Sequence, residues 1–195
     1  MSGLCGRRTT LQTLAIMLAG CGWLCDGGMP PALGEAEGGD VGLEIVDHEG
    51  LLAAVAAHRG KVVVLDCWST SCPPCVKEFP RLVSLAAAHP DRIACLSLAF
   101  DYEGIGTPEE SLPRVRGFLE QVGAGDVCNM LSREEADVMY RKLDLTSVPA
   151  VFIWRPDGSL ATRYDDDFAS KTLGRPFTYD DVEATVRQLL DAPRP

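Results

Sequence analysis

The sequence predicts an α/β domain with a mixed central sheet and helices on both of its faces. Two observations carry this prediction. Apolar, strand-like runs alternate with helical segments through the first part of the chain, which favours a parallel sheet. The last part contains two strand candidates joined by a tight turn and followed by a helix, which adds antiparallel strands. With 46% apolar and 24% charged residues among 195, the composition is that of an ordinary folded domain.

The first strands and the helix between them are set by their apolar pattern. Residues 61–67 form a short β-branched run that is typical of a buried central strand, and residues 92–100 form a second apolar run. Between them, apolar residues recur at helical spacing, and Pro80 in that stretch predicts a kink. The positions with helical spacing are Val76, Phe79, Val83 and Ala86.

Two further helices and a strand are predicted before residue 144. Thr107 followed by Pro108 is typical of a helix start, with proline at the first helical position. Residues 126–131 are a third strand candidate. Ser132 and Glu135 match a capping box, which predicts that the helix behind them buries one face. The residues of that face are Ala136, Met139, Tyr140 and Leu143.

The end of the chain is β followed by α. Residues 150–154 and 160–164 predict two strands, and the turn between them contains proline, aspartate and glycine. Residues 178–190 predict the last helix, whereas the polar residues 165–177 give no element.

The first 20 residues have the layout of a secretory signal peptide. Arg7 and Arg8 precede an apolar run over residues 11–20, about half the length that a bilayer-spanning helix needs. The run ends Leu-Ala-Gly-Cys, which resembles a bacterial lipobox in which Cys21 becomes lipid-modified. An ordinary signal with a chance cysteine is the alternative. We expect the protein to lie on the extracytoplasmic face of a bacterial cell envelope and to contact the membrane through the lipid anchor only.

The remainder divides into a tether and a domain. Residues 21–42 are rich in glycine, proline and acidic residues and bury too little apolar surface to fold, so they predict a flexible tether. Residues 43–195 form the predicted domain. The formal net charge of −10 and the lack of a Lys/Arg cluster in the sequence argue against nucleic acid as a partner. The spacing of the three histidines and eight cysteines predicts no metal site, and no cofactor is expected.

Cys72 and Cys75 are the candidate catalytic pair. They lie where the central strand turns into a helix, and the free N–H groups at a helix N-terminus stabilise a thiolate, the form that attacks disulfides. Cys75 lies about one helical turn on, within bonding reach of Cys72, and would react second. Pro73 and Pro74 lack N–H donors and stiffen the loop.

Cys67 and Cys95 lie in apolar runs, which predicts that they are core residues. Pairing of Cys95 with Cys128 stays open.

Two acids and one proline complete the candidate site. Asp66 lies in the apolar strand, where burial would raise its pKa and let it exchange a proton with Cys75. Glu78 lies one turn beyond Cys75 and either shares that task or is a solvated charge. Pro149 either starts a strand or forms a cis bond beside the cysteines that leaves the backbone of Val148 free for an extended substrate.

These motifs resemble the TlpA/ResA branch of the thioredoxin superfamily over residues 43–190. The resemblance implies a thioredoxin-like three-layer sandwich with a helical insert before the cis-proline strand. It also implies that Cys72 attacks, Cys75 resolves and forms the Cys72–Cys75 disulfide, and Glu78 is an acid of the cleft. The substrate-binding residues would be Trp68, Pro73, Pro74, Val148 and Pro149. The matching motifs are Trp68-Ser-Thr-Ser-Cys72-Pro-Pro-Cys75, Glu78-Phe79-Pro80 and Ser147-Val148-Pro149-Ala150.

The function implied by the resemblance is extracytoplasmic reduction of client protein disulfides, for example in the maturation of cytochromes c or metal centres. A membrane or periplasmic electron donor would supply the electrons. Ser71, Cys67 and Val148 depart from the family pattern, which leaves the direction of electron flow open. Two alternatives also stay open. The first is a peroxiredoxin-like thiol peroxidase, because Thr70 stands two residues before Cys72, as in peroxiredoxins. The second is a non-catalytic binding module in which the disulfide is purely structural.

Overall fold

Six strands form one mixed sheet, and helices cover both of its faces. The computed structural model describes residues 41–192. The predicted signal peptide, Cys21 and nearly all of the predicted tether lie outside the described residues. The strands are β1 (Leu43–Val46), β2 (Val62–Trp68), β3 (Ile93–Ala99), β4 (Cys128–Ser132), β5 (Ala150–Trp154) and β6 (Leu160–Tyr164). The helices are α1 (His48–Ala57), α2 (Pro73–Ala88), α3 (Leu112–Gln121), α4 (Ala136–Leu143), α5 (Asp166–Phe168) and α6 (Tyr179–Asp191).

The strand order is β1-β4-β3-β2-β5-β6. The pairs β1–β4, β4–β3 and β3–β2 are parallel, whereas β2–β5 and β5–β6 are antiparallel. Both parts of the sequence prediction are therefore confirmed, because the alternating segments form the parallel half and the final hairpin forms the antiparallel half. The insert before β5 contains β4 as well as helices, and β4 separates β1 from β3.

The central strand β2 is buried on both faces. Val62 and Val64 belong to a hydrophobic cluster with α2, α3 and α6, while Val63 and Leu65 belong to the cluster formed with α1 and α4. A strand covered on both sides needs apolar residues at every position, which explains its continuous apolar run. The charged side chain of Asp66 in this strand is therefore buried with its neighbours.

The capping box predicted at Ser132 and Glu135 is wrong. Ser132 is the last residue of β4, where it pairs with Val46, and its hydroxyl donates to the carbonyl oxygen of Glu134 at 2.7 Å. Strand pairing holds Ser132 out of the cap position, so α4 begins at Ala136 without a side-chain cap. A capping box does start α6, where the Thr178 and Asp181 side chains bond each other's backbone N–H.

The start of α3 differs from the prediction. Pro108 begins a short 3₁₀-helix that ends at Ser111, and α3 follows directly from Leu112. Thr107 makes no side-chain cap bond. Farther back, α2 continues as one helix through Pro80, and the Ser84 hydroxyl donates to the Pro80 carbonyl oxygen at 2.9 Å.

Three segments went unassigned or misassigned in the sequence. β1 and α1 lie in residues 43–57, and α1 begins where the Asp47 carboxylate accepts the Gly50 N–H at 2.8 Å. Val41 is 1% exposed and its carbonyl oxygen accepts a bond from Arg116, so residues 41–42 belong to the domain and not to the tether. The segment 165–177 contains α5 and a π-helical turn over Ala169–Leu173. Within residues 41–192, no helix combines the length and apolar character needed to cross a bilayer.

The packing of α1 can be tested with two adjacent leucines. Leu51 is 1% exposed and Leu52 is 49% exposed. We expect Leu51→Ala to lower the free energy of unfolding by about 2–5 kcal/mol, because it leaves a cavity in the core. Leu52→Ala should cost less than about 0.5 kcal/mol, since its side chain is largely in solvent. Urea unfolding of the two variants measures both values, and equal losses would contradict the packing of α1.

Candidate active site

The two cysteines of the motif lie at the start of α2. Cys72 is the N-cap residue, and the Cys75 N–H points at its sulfur with an N–Sγ distance of 3.3 Å. Pro73 and Pro74 occupy the first helical positions, where their missing N–H groups cost no hydrogen bond. The two cysteines form a disulfide, as predicted. In the reduced protein, the amide and the helix dipole stabilise negative charge on Cys72.

The two sulfurs differ in accessibility. Cys75 is 3% exposed and belongs to the hydrophobic cluster under α2, whereas Cys72 is only partly buried. Cys72 is therefore the more accessible sulfur to an external thiol or disulfide, which agrees with the predicted order of reaction.

The bond between Val148 and Pro149 is cis, which confirms that prediction. The Val148 carbonyl oxygen lies 3.7 Å from Cys72 Sγ, so this loop and the start of α2 are neighbours in the site. Cys72 and Val148 both line a cleft of ≈ 330 Å³. The other side of the cleft is lined by Glu103, Glu135, Asp137 and Tyr140.

Asp66 is buried in the interior of the domain and is 3% exposed. Burial raises the pKa of its carboxyl from an ordinary 3.8 to about 7, although a hydrogen bond from Tyr179 opposes the shift. The Tyr179 hydroxyl donates to Asp66 Oδ2. Asp66 has the same parity along β2 as Val64 and Trp68, so its side chain lies on the sheet face that α2 and α6 cover. The predicted burial is confirmed, and the pKa shifts in the predicted direction.

The chain is similar to known proteins in part of its sequence and in its fold. No protein-family model matches the chain. A stretch of 62 residues is 32% identical to the thioredoxin-like protein YneN of Bacillus subtilis (strain 168), covering 32% of this chain. The match spans only 34% of the length of that curated relative.

Two solved structures share the architecture over most of the described domain. A secreted Mycobacterium tuberculosis disulfide oxidoreductase homologous to E. coli DsbE gives a TM-score of 0.51 at 22% identity, over 69% of this chain and 86% of that one. The exposed lipoprotein thioredoxin Etrx1 of Streptococcus pneumoniae strain TIGR4 gives 0.52 at 15% identity, over 69% and 90%. The chain has the thioredoxin fold. The fold class predicted from the sequence is thus confirmed.

In this thioredoxin-fold protein, Trp68 does not have the predicted substrate-binding position. Its side chain is fully buried, with its ring centroid 4.7 Å from that of Phe79 and 4.8 Å from that of Phe118. Trp68 has the same parity as Val64, so it points into the core on the α2 side and offers no surface to a client. Ser69 and Ser71 line the cleft in its place.

Glu78 lies on α2 with its side chain half-buried. Its charge helps to raise the pKa of Tyr179, after the larger effects of burial and of Asp66. Glu78 and Asp66 thus both interact electrostatically with Tyr179. The sequence patterns did not single out Tyr179. Its position in the first turn of the last helix was the one feature that could have drawn attention to it.

A second group missed by the sequence braces the turn before Cys72. The Asp101 carboxylate is buried and accepts both the Thr70 N–H, at 3.1 Å, and the Thr70 hydroxyl. Arg114 of α3 pairs with it at 3.2 Å, and the Ser111 hydroxyl donates to the Asp101 carbonyl oxygen at 3.0 Å. Asp101 lies two residues after the end of β3. Parallel neighbouring strands end at the same sheet edge, which places Asp101 beside the turn that follows β2.

The other cysteines of the core are poor nucleophiles. Cys67 and Cys95 are buried, and neither is in a disulfide. Burial, and then the charge of Asp66, raise the pKa of Cys95 to about 12 and raise that of Cys67 well above its ordinary value. Thiols with such pKa values stay protonated near neutral pH. In the described part of the chain, no three His, Cys, Asp or Glu side chains cluster as metal ligands would.

The raised pKa of Asp66 predicts a pH dependence of stability. Because the folded carboxyl holds its proton up to about pH 7 and the unfolded one releases it near 4, stability is lost as pH rises between these values. Relative to Asp66→Asn, we expect the wild type to lose on the order of 4 kcal/mol of unfolding free energy from pH 4 to pH 7. Denaturant unfolding at both pH values measures the difference, and parallel pH curves would contradict the burial of an ionisable Asp66.

The brace at Asp101 predicts a local effect. Asp101→Ala removes the acceptor of Thr70 and should lower the free energy of unfolding by about 1–3 kcal/mol. In the reduced protein, alkylation of Cys72 at pH 7 should also slow, because the turn no longer holds the sulfur against the helix. The control is Asp126→Ala, which removes an exposed carboxylate and should change neither value. Unchanged alkylation in Asp101→Ala would show that the turn holds without the brace.

Proposed function

We propose that this thioredoxin-fold protein is a thiol–disulfide oxidoreductase that exchanges disulfides with client proteins through Cys72 and Cys75. The observation that carries the proposal is the placement of Cys72 Sγ. It receives the Cys75 N–H at 3.3 Å at the start of α2, and it lines an open cleft. The chain thereby combines thiolate stabilisation with access for another protein's sulfur.

In the proposed cycle, the reduced chain donates two electrons to a client disulfide. The Cys72 thiolate attacks one client sulfur, which forms a mixed disulfide and releases the other client sulfur as a thiolate. Cys75 then gives its proton to Asp66, and its thiolate attacks Cys72 Sγ and expels the remaining client sulfur. The client thiolates take one proton from Asp66 and one from water. A dithiol electron donor reduces the Cys72–Cys75 bridge again by the reverse steps.

Asp66 suits the part of proton acceptor because of where it lies and how it titrates. It faces the side of the sheet covered by α2, the helix that contains Cys75. A pKa of about 7 lets a carboxyl both accept and release a proton near neutral pH. Glu78 on the same helix is half-buried, and we propose that it connects this interior group to solvent.

The client would bind beside the cis-proline. Val148 lies in the cleft with its carbonyl oxygen 3.7 Å from Cys72 Sγ, where an extended client segment can bond to the backbone. The exposed Pro73 and Pro74 flank the reactive sulfur and can contact the same segment.

The geometry favours this proposal over the two alternatives. The peroxidase alternative rests on Thr70, but the Thr70 hydroxyl donates to Asp101 and is already used to hold the turn. A purely structural disulfide has no need of an open cleft on one of its sulfurs. Measurement of the reduction potential separates the second alternative, since structural bridges lie below roughly −300 mV.

We also propose that the mature protein is lipid-anchored through Cys21 on the extracytoplasmic side. The Leu-Ala-Gly-Cys sequence at residues 18–21 supports the anchor. The structural neighbours include a secreted oxidoreductase and an exposed lipoprotein, which agrees with that location. We propose that its clients are disulfides formed in the maturation of cytochromes c or metal centres. A membrane or periplasmic donor would supply the electrons.

Three cysteine variants test the exchange site. Cys72→Ala should abolish reduction of insulin disulfides, because no attacking sulfur remains. Cys75→Ser should accumulate a mixed disulfide with insulin, since the resolving sulfur is gone. The control is Cys95→Ala, which removes a buried thiol and should leave the rate within about twofold of wild type. Insulin turbidity and non-reducing gels give the measurements, and retained activity in Cys72→Ala would overturn the assignment.

A further inference from the structure

The hydrogen bond between Tyr179 and Asp66 joins two parts of the fold that are 113 residues apart. Tyr179 is the first residue of α6 and is 2% exposed, and Asp66 is in the middle of the sheet at 3% exposed. A tyrosine hydroxyl with no access to water must find its partner inside the protein, and this one uses the interior carboxylate. The contact is thus a fixed feature of the interior.

The first turn of α6 is held by its own network. Asp181 accepts the Thr178 N–H at 2.9 Å and pairs with Arg175 at 2.7 Å. Arg81 of α2 bonds Asp180 at 2.8 Å and Glu183 at 2.9 Å. The N-terminus of α6 is therefore attached to α2, the helix that contains Cys75, and the Tyr179 hydroxyl keeps its position relative to both Asp66 and that helix.

Counting Tyr179 itself, the ionisable groups around Asp66 come from four elements. Tyr179 approaches from α6, Cys95 from β3 and Cys67 from β2 itself, while Glu78 of α2 acts on Tyr179. Cys67 and Cys95 are protonated thiols, and the Glu78 charge disfavours a second negative charge nearby. Burial and the Tyr179 hydroxyl are the two influences that shift the Asp66 carboxyl, and the hydroxyl is the one that favours the carboxylate.

We infer that Tyr179 is a positioning residue for the exchange reaction: its hydroxyl orients the Asp66 carboxyl and stabilises its anionic form as the base for Cys75. The inference rests on the proposed function. Without this donor, a carboxylate in an apolar interior reverts to the neutral acid, which takes up no proton. The second step of exchange would then require a higher pH.

Tyr179→Phe tests the inference, because it removes the hydroxyl and keeps the ring. Carbon-13 NMR of the oxidised chain follows the titration of Asp66, which Asp66→Asn identifies. We expect the midpoint to rise by roughly one pH unit in Tyr179→Phe. Tyr164→Phe is the matched control. Its hydroxyl also bonds to α6, at Thr185 and the Asp181 carbonyl oxygen, and its loss should leave the Asp66 midpoint unchanged.

The kinetic readout is the rate at which Cys75 resolves a mixed disulfide preformed on Cys72, measured across pH. In Tyr179→Phe its pH profile should move upward with the carboxyl midpoint, and in an Asp66→Asn background the same substitution should move nothing. Site-specific Tyr179→3-fluorotyrosine keeps ring and hydroxyl but donates more strongly, so it should lower the midpoint. This variant preserves the test if Tyr179→Phe unfolds.

The outcomes separate the two claims. An Asp66 midpoint that stays unchanged in both position-179 variants overturns the inference, as does a shifted midpoint with an unshifted resolution profile. Neither result affects the proposed function if the wild type reduces insulin. Failure of the wild type to form a mixed disulfide overturns the proposed function instead, and the carboxyl titration still measures the coupling of Tyr179 to Asp66, because it requires no client.

Discussion

The contact between the Cys75 N–H and Cys72 Sγ is the interaction on which the site depends. It exists because β2 ends at Trp68 and α2 begins at Pro73, which leaves only a short turn between strand and helix. That turn brings an otherwise unsatisfied helix amide to a partly exposed sulfur. Two neighbours adjoin this contact: Asp101 holds the turn before Cys72, and the carbonyl oxygen of Val148 lies beside the same sulfur.

The cysteines at this sheet lie in very different environments. Cys67 and Cys95 lie in strands that are covered on both faces, so burial keeps them protonated. Cys72 lies just beyond the end of its strand, where it meets helix amides and solvent. Only five residues along the chain separate the buried Cys67 from the partly exposed Cys72, and the two differ because the environment changes at the end of the strand.

The sequence was most informative where chemistry is local. The strands β2 to β6, the helix after the cysteines and the burial of Asp66 follow from short sequence patterns, and the structure confirms them. Trp68 was misplaced because the motif gives its neighbours but not the face of the strand on which it lies. The bonds of Thr70 to Asp101 and of Tyr179 to Asp66 join residues 31 and 113 positions apart, and a single sequence has no pattern that pairs them.

The helix α3 has a consequence for how the domain could be shortened. It belongs to the insert before β5, yet its Arg114 pairs with Asp101 and its Phe118 packs on Trp68. Excision of the insert to leave a minimal sandwich would therefore strip the counterion from the brace and open the core beneath the reactive turn. In this chain the insert supports the turn that contains Cys72, so a shortened or transplanted domain has to keep the insert together with the cysteines.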